Sequence, residues 1–197
     1  MTTAKIELKD ILNFFEYEKV RDQMRDRVIA LKRVRRVPVG RYLSFVFENR
    51  DTVLFQIQEM CRVERITDDA RIQDEIDVYS ELLPRPRELS ATLMIEIEDK
   101  DQIKPVLDRF TGIDVGQHVW LQVGKEFAVP GEFEAGHSDE EKGKLAAVHF
   151  VRFAFPPEAI RAFKDSDVWL VVDHPGERDR TRLSEETQAA LLEDLAP

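Results

Sequence analysis

Apolar residues recur at helical spacing through the first part of the chain and in alternation through the second. Tyr17, Val20, Met24, Val28, Leu31 and Val34 make one stripe at three- and four-residue intervals, which predicts a long helix over about 9–36. Asp10 stands where a cap is expected, and Pro38 ends the run by pushing Val37 out of helical geometry. In RYLSFVFE (41–48), Leu43, Phe45 and Phe47 alternate with Tyr42, Ser44 and Val46, the pattern of a strand with both faces partly covered. Asn49 is a good cap for a second helix, and Asp51 suits the dipole of its first turn. Projected at 100° per residue, Val53, Leu54, Ile57, Met60 and Cys61 share one side of that helix. Glu64 falls in the middle of the same side. A third helix is expected over about 68–83, with Ile72, Ile76, Tyr79 and Leu83 on its apolar face and acidic residues elsewhere.

The second half is rich in strands. Residues 88–99 set Leu89, Ala91, Leu93, Ile95 and Ile97 against Ser90, Thr92, Met94, Glu96 and Glu98, which predicts one apolar and one wet face. A short helix (101–110) follows, with Pro105 marking a break or a restart, and strands are expected at 118–123, 145–155 and 167–172. Pro157 opens another helix as an N1 proline, and Ser184 caps a last one that runs to about Leu195. Helices and strands without strict alternation point to an α+β fold: a single domain over 1–197, its mixed, mostly antiparallel sheet of about five strands packed with the long N-terminal helix and several shorter ones.

Composition narrows the function classes. A chain of 197 residues with 43% apolar and 35% charged residues can build one substantial core. The net charge of −10 argues against non-specific binding to nucleic acid, which requires a basic surface. Cys61 is the single cysteine, so no internal disulfide is possible, and its place on the apolar side of the second helix predicts an inert core thiol. The N-terminus lacks the apolar core of a secretory signal, and no stretch has the run of apolar residues a membrane span needs. A cytoplasmic protein that neither spans a membrane nor binds nucleic acid is the expectation.

Candidate chemistry is thin. Glu134 and His137 have the spacing found in di-iron helices, but Pro130, Gly131 and Gly136 make this a loop, and the preferred reading is an acidic solvated segment. His149 lies in an apolar strand, where a hydrogen-bonded core residue is the usual finding. In DHPG (173–176), Asp173 is placed either to orient His174 for acid–base work or to start a turn, and the turn is preferred. No phosphate-binding loop and no nucleophile elbow occurs. The concentrated positive feature is the stripe Arg21, Arg25, Lys32 and Arg36 on the first helix, expected to pack against the acidic third helix. Glu64 is expected to be buried and paired with Arg21 or Arg25, because an apolar setting and a helix C-terminus both oppose a lone carboxylate.

Five stretches together carry a resemblance: FFEYEKVRDQMRDRVIALKRVRRVPVG, FENRDTVLFQIQEMCRVERI, ELSATLMIEIED, AVHFVRF and VVDHPG. They resemble the bacterial domain-of-unknown-function family 3501 over nearly the whole chain. The resemblance implies no activity and transfers no catalytic residue; it implies an association with rubrerythrin-like and iron–sulfur oxidoreductase proteins. The expected function is therefore a non-enzymatic accessory or interaction protein with an oxidoreductase component as its protein partner, and with neither metal nor cofactor. The alternative is a small-molecule- or metal-dependent enzyme whose site gathers Arg21, Arg25, Glu64, His149 and His174.

Overall fold

The computed structural model describes residues 5–134 and 145–195. The helix α1 (Phe14–Arg35) is capped by Asn13, whose side chain accepts from the Glu16 N–H, and not by Asp10. Asp10 instead ends a 3-10 turn and pairs with Arg50 at 2.7 Å, so residues 5–13 form a strap over the helices. Ile6, fully buried, and two hydrogen bonds between the Gln58 amide and the Leu12 backbone hold that strap down. The strands β1 (Arg36–Val39) and β2 (Leu43–Phe47) follow. Then come α2 (Arg50–Val63), closed at its start by a reciprocal Asn49–Thr52 capping box, and α3 (Asp69–Ser80), capped by Asp68.

The remainder is β3 (Glu88–Ile95), α4 (Ile103–Arg109), β4 (Val119–Val123), β5 (Phe127–Phe133), β6 (Val148–Ala154), α5 (Pro157–Asp165), β7 (Val168–His174), β8 (Glu177–Arg182) and α6 (Glu185–Leu195). Among the described residues eight strands thus replace the expected five or so, in the order β1-β2-β3-β6-β5-β4-β7-β8, with every neighbour antiparallel. The fold is α+β, and the sheet curls until its two edges nearly meet. Thr181 donates from β8 to the Pro38 carbonyl of β1, and the Arg41 N–H reaches the Glu177 carboxylate at 3.2 Å. Gly40 makes that approach possible: its φ is +64°, and a Cβ there would lie 2.4 Å from the Glu177 carboxyl carbon.

Curling divides the sheet into an inside and an outside. Phe45, Phe47, Leu93, Leu121, Val151, Phe153 and Leu170 fill the inside to full burial. Val106, Phe110 and Ile113 join this core from one mouth, and Phe163, Leu191 and Leu195 from the other. Outside β2, β3 and β6, a second cluster of Ile6, Val53, Ile57, Cys61, Ile66, Ile76 and Leu82 binds α2, α3 and the strap, with Phe150 packed against it. The polar face of β3 is therefore not wet: Ser90 is buried, and Thr92 and Met94 are half-buried beneath the helices. Arg35, at 4% exposure, ties α1 to α6 through a bidentate pair with Asp194 (2.6 and 3.1 Å).

Candidate functional site

The helical layer meets the sheet along two carboxylates. Glu59, on α2, receives both Nε and a terminal nitrogen of Arg21 at 2.8 and 2.9 Å, the Tyr17 hydroxyl at 2.8 Å, and Arg62 at 3.0 and 3.2 Å. The Arg21 hydrogen bonds, with those of Arg62 and Tyr17, overcome the opposing effect of burial and hold the Glu59 carboxyl down at about 2. Burial and the bond to this carboxylate push the Tyr17 phenol up, so it stays a donor. This is the arginine–carboxylate link expected between the first two helices, made with Arg21 but through Glu59 in place of Glu64.

Glu64 is exposed, and corrects the expectation that it is buried. Helix α2 stops at Val63 and closes in a Schellman motif, with Ile66 N–H to Cys61 O at 2.8 Å and Arg65 N–H to Arg62 O at 3.3 Å. Arg65 takes the left-handed conformation (φ +55°) that glycine usually supplies there, so Glu64 is the C-cap, the last residue before the chain turns off the helix axis, and its side chain is exposed. Arg25 is exposed on α1, and the basic stripe meets α2 and the residue just after β3, not α3: Arg21 pairs with Glu59, and Arg36 with Glu96.

The second carboxylate is Glu48, between β2 and the cap of α2, at 3% exposure. One oxygen accepts from the Thr52 hydroxyl at 2.5 Å and the other from the Thr92 hydroxyl at 2.7 Å. Among the described residues no cation reaches it. Glu48 borders a cleft of about 320 Å³ between α1, α2 and the outside of the sheet, walled by Val46, Phe55, Met94 and Phe150 and edged by Lys32 and Arg36. That volume lies at the small end of ligand pockets. Neither Glu48 nor Thr92 stood out in the sequence, because a strand end and a seemingly wet strand face gave no sign that helices would cover them.

The histidines lie on the other side of the sheet. His149 points inward from β6 with 1% exposure, its Nε2 2.8 Å from the Ala146 carbonyl and its Nδ1 3.6 Å from Asp114. His174 Nδ1 accepts from the Gly176 N–H at 3.0 Å, which places the proton on Nε2, facing the Thr111 carbonyl at 3.2 Å. Burial, aided by neighbouring His118, pushes its pKa down. Asp173 pairs with Arg178, not with His174, and the DHPG segment is the β7–β8 turn. There Gly176 lies so close to the end of α4 that a Cβ would be 2.4 Å from the Arg109 carbonyl. Arg21, Arg25, Glu64, His149 and His174 are thus spread over α1, the end of α2 and two strands that are not neighbours. His137 lies outside the described residues, and so does the Glu134–His137 spacing. Among the described residues, no three His, Cys, Asp or Glu side chains are grouped to hold a metal ion, and no helix is long and apolar enough to cross a membrane.

The family model described as a protein of unknown function (DUF3501) matches residues 5–195. A crystal structure of a novel protein of unknown function from Burkholderia pseudomallei is 33% identical, with a TM-score of 0.90 over 98% of this chain and 100% of that one. No curated protein matches significantly.

Proposed function

We propose, for a chain that belongs to the DUF3501 family of proteins of unknown function, that it is a non-catalytic binding protein whose cleft beside Glu48 takes a small amphipathic ligand with a cationic group. Glu48 carries the reading. A carboxylate withdrawn from water is costly unless a cation or several donors meet it, and here two hydroxyls and the α2 N-terminus provide the compensation. An ammonium group entering along the apolar walls would supply the missing opposite charge. The separation of the arginines of α1 from the two buried histidines favours binding over catalysis.

The test is thermal unfolding of the parent and of Glu48→Gln with and without 2-phenylethylamine. The amine is expected to raise the parent midpoint, by about 2.7 kcal/mol of stabilisation at a hundredfold excess over Kd, and to leave the variant unmoved. Equal shifts in both proteins would overturn the reading. The accessory role beside rubrerythrin or iron–sulfur oxidoreductases, implied by the family resemblance, is compatible with a binding protein. A pulldown from native extract that recovers no oxidoreductase component would remove that part.

A further inference from the structure

Opposite charges line the cleft without touching each other. Glu48 is buried at one side, bonded to Thr52 and Thr92. Lys32, half-buried on α1, also borders the space, and among the described residues no carboxylate lies within ion-pair distance of its ammonium. The other charged groups there are already neutralised: Arg36 holds Glu96 at 2.7 Å, and Glu59 is bound by Arg21 and Arg62. One anion and one cation therefore remain without an ionic partner, with the apolar side chains of Val46, Phe55, Met94 and Phe150 lining the same space.

We infer that the ligand is a zwitterion with an apolar body, an α-amino acid with an aliphatic or aromatic side chain being the simplest member of the class. This rests on the proposed cleft and adds a second pole to it. The ammonium group meets Glu48. The carboxylate meets Lys32, whose flexible stem lets a single ammonium follow ligands of somewhat different length. The side chain replaces water along the apolar walls, and its burial adds affinity without directional demands. Neither charge of such a ligand is left unpaired on entry, the condition under which charged groups are withdrawn from water at tolerable cost. Arg36 is less suited to the carboxylate role because Glu96 already occupies it.

Isothermal titration of the full chain with L-phenylalanine, 2-phenylethylamine and 3-phenylpropionate tests the inference, each ligand being measured on the parent, Lys32→Met and Lys32→Arg. Phenylalanine is expected to bind the parent about tenfold or more tightly than the amine, the usual scale of one charge-assisted hydrogen bond. That preference should vanish in Lys32→Met and return in Lys32→Arg. Equal binding of phenylalanine and the amine to the parent would overturn the zwitterion while leaving the cationic-ligand cleft standing. A carboxylate-driven result, in which 3-phenylpropionate matches phenylalanine, or no binding by any of the three, would overturn both. A preference that survives in Lys32→Met would overturn the role of Lys32 and with it the inference.

Discussion

Glu48 and Glu59 flank the same stretch of α2, and the protein treats them in opposite ways. Glu59 sits in a ring of two arginines and a tyrosine hydroxyl, every donor aimed at it. Glu48 is more deeply buried and has two hydroxyls. Counting cations around each carboxylate separates a joint between helices from a group left open for something else, a distinction that burial alone does not make. The Glu59 ring fixes α1 on α2, because removal of the carboxylate takes from Arg21 and Arg62 their closest counter-charge. Around Glu48 nothing else depends on an ionic bond, so the chain can tolerate a change there.

The strongest way to break this comparison is Glu59→Gln, which leaves Arg21 and Arg62 facing an uncharged amide. A loss of roughly 3 kcal/mol in denaturant unfolding is expected; a change below about 1 kcal/mol would mean that the ring contributes little. Acid unfolding probes the same joint without mutation. The folded-state pKa of about 2 lies below the ordinary value of 4.5, so the contribution of Glu59 is fully present above about 4.5 and disappears as pH falls towards 2. Roughly 2–3 kcal/mol should be lost across that window, and the slope there should flatten in Glu59→Gln. Arg21→Lys keeps the charge but abandons the two-pronged bond, and about 1 kcal/mol is the expected cost. Glu48→Gln, by contrast, should move the midpoint by less than about 1 kcal/mol, since an amide accepts and donates in the space the carboxylate held; a larger loss would make Glu48 a joint of the same kind. The smallest effect belongs to Glu64→Gln, expected within about 0.5 kcal/mol as for an exposed position.

That last residue shows where reading the sequence stops. The helical projection of α2 was sound up to Cys61, and the demand for an arginine from α1 was met by Arg21. What failed was the end of the helix. A left-handed closing residue is usually written as glycine; here Arg65 takes the position, so the sequence did not mark Glu64 as the cap at which the covered face ends. The strand count fell short for a related reason. β8 (ERDRTR) has no apolar side chain at all, and β5 is interrupted by Pro130 and Gly131, so alternation cannot reveal either. β1 has only four residues, Pro38 among them, and reads merely as the stop to α1. The strands with a strong apolar period, β2, β3, β4, β6 and β7, were all legible, as were the caps at Asn49 and Ser184 and the N1 proline at Pro157. The Glu48 cleft was invisible because it is made by three elements that meet only in space, and because Thr92 stands on a strand face whose polarity suggested solvent.

The near-closure of the sheet sets a rule for any macromolecular partner. Proteins that recruit extended peptides by strand addition offer a sheet border with unpaired backbone groups. Here the two border strands turn towards each other, with Thr181 bonded to the Pro38 carbonyl and Glu177 to the Arg41 amide, and Pro38 has no N–H to give. That arrangement disfavours strand addition at the β1–β8 seam. The same seam leaves less of either border strand for a second copy of the chain to pair with, and the positive φ of Gly40 is part of the turn that brings Arg41 to Glu177.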